Sequence, residues 1–318
     1  MGAVTGLFDF LGAHATRFLA AGVLLGLVAP PLASLARPLL VPALLIPLTL
    51  SLVRLDWSAL KTYARRPLLV AALVAWMLLA SPLIVWAALA WIALPQPLHQ
   101  ALVLMAASSP IVSNVAFSLL LGLEAELALW VTLAATALMP LTLPPLAFAL
   151  VRLQVEMDLL TLSGRLALMV GGAFALALLI RRLAPAGAIE RNARFIDGVT
   201  VAVLIVFCVA IMDGVTAFAL ARPGYALLVA TSAFVANLAL QALGTLVSLR
   251  LGMRAALTVG MMTGNCNLGL VMVALGDRAD FDVIVFFAIG QLPMYILPGL
   301  LLPLYRRLIR NAAARQAA

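Results

Sequence analysis

The sequence predicts an all-α polytopic membrane protein with ten transmembrane helices, arranged as two inverted five-helix repeats. The composition supports a membrane protein, because 65% of the 318 residues are hydrophobic and only 10% are charged. Soluble domains carry about 25% charged residues. Apolar runs of roughly twenty residues recur along the chain, and a helix of that length crosses about 30 Å of hydrocarbon. Runs such as "LALMVGGAFALALLI" show no two-residue alternation, so we predict helices rather than barrel strands.

The predicted spans follow one another without a soluble domain or a Pro/Ser/Gly-rich linker, so we predict one membrane unit over residues 1–318. They lie at residues 18–35, 38–55, 68–93, 99–121, 127–150, 163–180, 196–219, 225–249, 255–276 and 283–304. Because each half has an odd number of spans, the second half must enter the membrane from the opposite side. Repeat one then covers about 18–151 and repeat two about 163–306. The first apolar segment also has features of a signal peptide, but it leads directly into a second span, so we interpret it as a span.

The distribution of positive charge predicts the orientation, because Lys and Arg in short loops stay on the cytoplasmic side. With both termini inside, all of the 20 Lys and Arg residues face the cytoplasm except Arg37, Arg152, Arg165, Arg222 and Arg278. We therefore predict a multi-pass protein of the cell inner membrane with cytoplasmic termini. The net charge of +8 follows from this asymmetry. The expected partner is the lipid bilayer, and no nucleic acid is needed to explain the charge.

The fourth span of each half is the most polar span of that half. Span 4 contains "MAASSPIVSNVAF", with Ser108, Ser109, Pro110, Ser113 and Asn114. Span 9 contains "MMTGNCNLGLVM", with Thr263, Gly264, Asn265, Asn267 and Gly269. Interrupted segments at matching places in two inverted halves indicate a transporter binding site. The alternative is that these small polar residues only pack helices together.

Both stretches contain residues that weaken a helix. Pro110 removes a backbone donor and clashes with the preceding turn, while Gly264 and Gly269 loosen the helix around the amides. Unpaired backbone groups are costly in hydrocarbon, so protein, ion or water must fill the interruption. Two broken helices that cross at mid-membrane would present opposed helix ends to an ion or an anionic solute. We assign substrate contacts to Ser109, Pro110, Thr263, Asn265, Asn267 and, in span 10, Gln291.

The stretch from "ALLIPLTLSLVRLDW" through "KTYARRPLLV" to "MAASSPIVSNVAFSLLLG" resembles the bile acid:sodium symporter family, within the wider bile/arsenite/riboflavin transporter superfamily. The shared features include an Arg-Arg-Pro entry to span 3, a proline in span 3 and a proline before Ser-Asn in span 4. The resemblance implies a ten-helix inverted repeat with a panel domain (spans 1, 2, 6 and 7) and a core domain (spans 3–5 and 8–10). Broken spans 4 and 9 would cross in the core. It also implies secondary active transport of small or amphipathic organic anions by alternating access.

The resemblance implies sodium ligands as well, which we transfer one position at a time. Ser113 and Asn114 match the family's Ser-Asn after the span 4 proline. Thr132 matches its span 5 Thr, and Asn267 looks like its span 9 Asn. These matches predict an ion site that includes Ser113, Asn114 and Thr132.

Several of the family's other sodium ligands are replaced in this chain. The span 9 Glu falls on Met262 or, in another register, on Thr258, and the span 9 Gln falls on Cys266 or Met262. The span 3 Gln falls on Met77 and the span 5 Ser on Ala128. One carboxylate about 4 Å from a cation contributes roughly 4 kcal/mol at an effective dielectric of about 20. Its loss predicts that sodium coupling is lost or altered, with a proton as the other possible coupling ion.

Three polar residues outside spans 4 and 9 are further candidates. Asn237 and Gln241 lie four residues apart on one face of span 8. They could supply replacement oxygens for an ion or form an interhelical hydrogen bond. Asp213 is the only acid well inside a span, so it is either a proton site or a water-facing or capped carboxylate. No metal or cofactor is predicted, because no ligand spacing occurs at His14, His99, Cys208 or Cys266.

Other classes of protein fit the sequence less well. It contains no H-E-x-x-H, no G-x-S-x-G and no second aspartate well inside a span to pair with Asp213, so we predict that it is not an enzyme. A channel stays a less favoured alternative, because the matched interruptions indicate alternating access. An auxin efflux carrier-like transporter, with Pro110 and Asn114 at the crossing, stays an alternative, as does a sodium-independent carrier. The sequence leaves the substrate, the direction of transport and the oligomeric state open.

Overall fold

The computed structural model describes residues 15–55, 66–151, 158–185 and 187–317, and the regular elements in these ranges are all helical. This confirms the all-α class for that part of the chain. Within it, seven helices are long and apolar enough to cross a membrane. They are Pro30–Arg54, Pro67–Leu89, Ala125–Val151, Leu159–Leu183, Ala193–Ala221, Pro223–Val247 and Phe281–Ala314.

We number the α-helices in chain order. The first eight are α1 (Ala15–Val28), α2 (Pro30–Ala36), α3 (Leu40–Arg54), α4 (Pro67–Ala75), α5 (Ser81–Leu89), α6 (Gln96–Ala107), α7 (Asn114–Leu121) and α8 (Ala125–Val151). The others are α9 (Leu159–Leu183), α10 (Ala188–Arg191), α11 (Ala193–Ala210), α12 (Val215–Ala221), α13 (Pro223–Val247), α14 (Met253–Gly264), α15 (Leu268–Leu275), α16 (Phe281–Ile289) and α17 (Gln291–Ala317). Short 3-10 turns occupy Arg37–Leu39, Leu249–Leu251 and Gly276–Arg278.

The chain divides into two compact units. The first unit is Met1–Asp56 with Arg165–Leu228, and the second unit is Trp57–Gly164 with Val229–Ala318. In the first unit α11 packs against α1, α2 and α3. In the second unit α8 packs against α6, α7 and α14, while α16 packs against α6. The interrupted spans 4 and 9 both belong to the second unit.

The first two predicted spans divide at a different place in the structure. α1 ends at Val28 and α2 begins at Pro30, so the prediction that span 1 reaches residue 35 is wrong. Ala29 leaves the helical region at φ −120°, ψ 70°, because the residue before a proline is disfavoured there. Pro30 and Pro31 suit the first turn of a helix, where their missing N–H groups have no partner to lose. The next apolar helical run therefore starts at Pro30 and continues to Arg54.

Three further irregularities were not predicted. Span 3 contains a π-helical turn at Trp76–Ala80, just before Pro82, whose ring would clash with the carbonyl of Leu78 in a regular helix. A π-turn accommodates such a local mismatch. Span 7 is interrupted between α11 and α12, where Gly214 adopts a left-handed φ of 76°. Span 10 is interrupted at Gly290.

Arginine side chains hold the end of α3 in the first unit. Arg54 donates two hydrogen bonds to the Asp197 carboxylate on α11, at 2.8 and 3.1 Å. Arg181 on α9 donates to the carbonyls of Val53 and Leu55. These carbonyls at the helix end have no intrahelical partner, and a basic side chain satisfies them while complementing the negative end of the helix dipole.

Candidate functional site

Span 4 is interrupted between α6 and α7. α6 ends at Ala107, and Ser108 turns to an extended conformation with ψ 148°. The Ser108 hydroxyl donates back to the carbonyl of Leu104 at 2.7 Å, which satisfies an acceptor in the last turn of α6. Pro110 cannot continue the helical hydrogen bonding because it has no N–H. α7 then begins at Asn114, with partly exposed Ser113 as its N-cap.

Span 9 is interrupted between α14 and α15. α14 ends at Gly264, and Asn265 leaves the helix at φ −93°, ψ 80°. Asn267 caps the next helix, since its side-chain oxygen accepts the Leu270 N–H at 3.2 Å. Asparagine is among the preferred residues at this position because it satisfies one of the free N–H groups of the first turn. Gly269, predicted to loosen the helix, lies inside α15 instead.

The two interruptions lie side by side and pair through their backbones. The Ile111 N–H donates to the Asn265 carbonyl at 3.0 Å, and the Asn267 N–H donates to the Ser109 carbonyl at 2.7 Å. These bonds form a short antiparallel bridge between Pro110 and Cys266. Each interruption thus supplies partners that the other has lost, which removes a cost of several kcal/mol per group in a bilayer.

Two buried asparagines form a reciprocal pair at this crossing. The Asn114 amide donates to the Asn265 carbonyl at 3.1 Å, and the Asn265 amide donates to the Asn114 side-chain oxygen at 3.2 Å. Both residues are 0% exposed. The sequence predicts Asn114 as an ion ligand and Asn265 as a substrate contact, and the structure places them in direct contact.

The polar contacts continue from the crossing along α13 to α17. Asn237 donates to the Gly264 carbonyl at 2.8 Å and to the Asn265 side-chain oxygen at 3.2 Å. Gln241 donates to the Asn237 side-chain oxygen at 2.6 Å, and the Tyr305 hydroxyl donates to the Gln241 side-chain oxygen. We call the five linked residues the amide chain: Asn114, Asn265, Asn237, Gln241 and Tyr305. Tyr305 was not predicted, because its partner lies 64 residues away and no local spacing points to it.

Glycines let α14 approach α13 closely enough for these bonds. A Cβ on Gly264 would lie 2.5 Å from the Gln241 Cγ and 2.6 Å from the Asn237 carbonyl oxygen. A Cβ on Gly260, one turn earlier, would collide with the Gln241 carbonyl oxygen. Small residues four apart are a common device for close packing of membrane helices. The short distance between α13 and α14 that brings Asn237 beside Asn265 therefore depends on glycine at positions 260 and 264.

We expect Gly264→Ala to lower the free energy of unfolding by about 1–3 kcal/mol, because an added methyl group must push α13 and α14 apart. Chemical denaturation of the purified protein measures the change. Gly171→Ala in α9 is the matched control, since a Cβ there would meet nothing within 4 Å. Because alanine has a higher helix propensity than glycine, this variant should not be destabilised. Equal stability of Gly264→Ala and wild type would contradict the close-packing argument.

Threonine hydroxyl groups of α8 and α14 lie near the crossing. Thr136 donates to the Ser109 hydroxyl at 3.2 Å, and Thr132, one turn earlier, contacts the Met262 sulfur at 3.8 Å. Thr263 donates to its own helix and accepts the Trp76 indole N–H at 3.2 Å. Sequence analysis missed Thr136 and Trp76. The four-residue spacing of Thr132 and Thr136 was a usable signal, because both lie on one face of α8.

Apolar side chains occupy the positions where the resemblance implies acidic, amide or hydroxyl sodium ligands. Met77, Ala128 and Met262 belong to one buried hydrophobic cluster in the second unit. They are 2%, 0% and 0% exposed, respectively. In the alternative register, the Thr258 hydroxyl accepts the Glu124 backbone N–H at 3.0 Å. Neither register provides a carboxylate at the position of the family's span 9 Glu.

Two other candidates lie apart from the amide chain. Asp213 belongs to the first unit, where its carboxylate accepts from Ser34 at 2.6 Å and from Arg37 at 2.9 Å. The structure therefore shows Asp213 as a capped carboxylate, and its role as a proton site stays a prediction. Gln291 in the second unit is buried and donates to the Phe287 carbonyl at 3.3 Å. The Gly290 beside it approaches Leu268, so Gln291 is near the start of α15.

The helices and the paired interruptions define a multi-pass helical membrane protein. A model of the sodium bile acid symporter family matches residues 41–222, which is more than half of the chain. The chain therefore belongs to the sodium bile acid symporter family, which is a family of transporters. No curated protein matches the sequence. The family predicted from the sequence between spans 2 and 4 is thus confirmed.

Proposed function

We propose that the protein is a secondary active transporter that moves a small or amphipathic organic anion across the inner membrane by alternating access, without sodium coupling. The observation that carries this proposal is the buried Asn114–Asn265 pair at the crossing of two interrupted segments, in a chain of a transporter family. Polar groups inside a membrane are costly, so their presence there indicates a pathway or a binding site. An enzyme or a channel does not explain why both halves carry a matching interruption.

The division of the chain supports a panel and a core domain. The first unit contains most of the described parts of spans 1, 2, 6 and 7, and the second unit contains spans 3–5, most of span 8, and spans 9 and 10. These are the two groups that the resemblance assigns to panel and core. The ten-span inverted repeat with both termini in the cytoplasm belongs to the same proposal.

Two of the four helix ends at the crossing suit an anionic solute, whereas the other two, the C-terminal ends of α6 and α14, carry partial negative charge. The N-terminal ends of α7 and α15 both lie at the crossing, and the N-terminal end of a helix carries partial positive charge. The polar residues there, Ser109, Asn265 and Asn267, carry hydroxyl and amide groups that can donate hydrogen bonds to a carboxylate or sulfonate. We propose that an organic anion binds beside these ends, with its apolar part against neighbouring apolar side chains.

The packing of the second unit supports the loss of sodium coupling. Met77, Ala128 and Met262 offer no oxygen ligand, and the missing carboxylate alone corresponds to about three decades of affinity. The side-chain oxygens of Asn237 and Gln241 each accept a bond from within the amide chain, from Gln241 and Tyr305 respectively. We propose that these two residues hold α13 against α14 and α17. Asp213 is paired with Arg37, so we propose a structural role for it rather than proton transfer.

Uptake into proteoliposomes tests this function. We expect purified protein to carry labelled bile acids or other organic anions at equal initial rates with sodium or potassium outside, at equal ionic strength. Protein-free liposomes provide the baseline, and analysis of the recovered solute shows whether it is chemically unchanged. Dependence of the rate on sodium by about tenfold or more would overturn the coupling proposal. Chemical conversion of the solute without its movement would overturn the transporter proposal.

A further inference from the structure

The second unit contains a cavity of about 630 Å³ that is separate from the crossing. It lies among the C-terminal end of α7, the first turn of α14 and the later part of α17. Its lining combines charged and apolar side chains, and the relevant ones are Leu119, Leu120, Arg254, Arg306, Ile309 and Arg310. None of these residues belongs to the amide chain or to the candidate ion ligands.

Positive charge dominates this cavity. Arg254, Arg306 and Arg310 are exposed, and no carboxylate is among the lining residues. Within the described residues, none of the three arginines forms an ion pair with an acidic side chain. Glu124, the acid nearest to the end of α7 in sequence, does not line the cavity. Three guanidinium groups on two helices can hold one anionic group with several charge-assisted hydrogen bonds.

Apolar side chains stand directly beside the arginines. Leu119 and Leu120 are 70% and 55% exposed in the last turn of α7. Gly122 ends that helix in a left-handed conformation with φ 70°. Leu119 and Leu120 therefore lie next to the point where the chain leaves the membrane span. A water-soluble anion would neutralise the arginines but would leave these leucines uncovered, whereas a lipid has both an anionic headgroup and acyl chains.

We propose that this cavity binds an anionic phospholipid of the cytoplasmic leaflet. Arg254, Arg306 and Arg310 hold the phosphate, and Leu119, Leu120 and Ile309 contact the upper part of the acyl chains. The positive-inside orientation places this end of the second unit at the cytoplasmic face. Basic pockets at that face are typical sites for lipid phosphate groups.

Thermal unfolding of the full-length protein in mixed micelles tests the proposal. Dioleoyl phosphatidylglycerol should stabilise the wild type more than dioleoyl phosphatidylcholine at equal mole fraction. Each of Arg254→Gln, Arg306→Gln and Arg310→Gln should weaken phosphatidylglycerol binding about fivefold, as expected for loss of one basic group near an anionic headgroup. Binding should be measured by native mass spectrometry of the same samples.

Arg307→Gln is the matched control, because Arg307 is the exposed neighbour of Arg306 on α17 and does not line the cavity. It should bind phosphatidylglycerol as the wild type does. The proposal would be overturned if Arg307→Gln lost as much binding as the cavity variants, or if phosphatidylcholine bound equally well. Binding of inorganic phosphate or of a soluble bile acid at the cavity, without binding of phosphatidylglycerol, would also overturn it. If Arg306→Gln unfolds, Arg306→Lys, which keeps the charge, should retain most of the binding.

Discussion

Asn265→Ala is expected to lower the free energy of unfolding by roughly 3 kcal/mol and to abolish transport. The Asn265 side chain donates to Asn114 and accepts from Asn237. Its removal leaves the buried Asn114 oxygen without a donor, and an unpaired buried polar group costs about 1–3 kcal/mol. The void left by the missing amide adds to this loss. Denaturation in detergent and uptake into proteoliposomes measure the two effects.

A double-mutant cycle measures the interaction energy between Asn114 and Asn265 separately from their other contacts. Asn114→Ala leaves the Asn265 amide without its acceptor, but the combined variant removes both members together. The loss in the combined variant should therefore be smaller than the sum of the single losses by about 0.5–3 kcal/mol. Asn192→Ala is the control, because the exposed Asn192 bonds only within its own helical turn. Strictly additive losses would show that Asn114 and Asn265 do not act as a pair.

The seven long apolar helices of the described residues could be predicted, because a membrane helix is a local property of the sequence. The length and hydrophobicity of a stretch of about twenty residues define each span, independently of the contacts that the rest of the chain makes. The interruptions at Pro110 and Gly264 could also be predicted, since both residues disturb a helix by themselves. The missed break at Gly290 lies within an apolar stretch, where hydrophobicity gives no signal, whereas Pro30 and Pro31 were a usable signal for the break at Ala29.

The contacts between helices could not be predicted from spacing alone. Tyr305 follows a run of leucines and precedes two arginines, so in sequence it has the features of an aromatic residue at the membrane interface. Its bond to Gln241 depends on how α17 packs against α13. Likewise, the resemblance identified Met77, Ala128 and Met262 one by one as departures from the family. Only the packing shows that they fill one apolar cluster.

That cluster leads to the second large prediction, which concerns Met262→Glu. A carboxylate at this position would lie among the buried, mostly apolar side chains of the cluster on α4, α8 and α14, beside the Thr132 hydroxyl. We expect the free energy of unfolding to fall by about 3 kcal/mol or more, the cost of placing an acid at the centre of a membrane helix. Met262→Leu conserves volume and should cost less than about 1.5 kcal/mol.

Stabilisation by sodium distinguishes a variant with an incomplete ion site from a variant whose hydrophobic core is only destabilised. Met262→Glu alone should gain little stability from sodium, because Met77 and Ala128 provide no oxygen to complete the coordination. The triple variant Met77→Gln, Ala128→Ser and Met262→Glu places oxygens at all three positions and should be stabilised by sodium but not by potassium. Met262→Leu should respond to neither ion. A sodium-dependent rise in the unfolding temperature of the wild type or of Met262→Leu would contradict this reasoning, because the apolar cluster would then not be what prevents sodium binding.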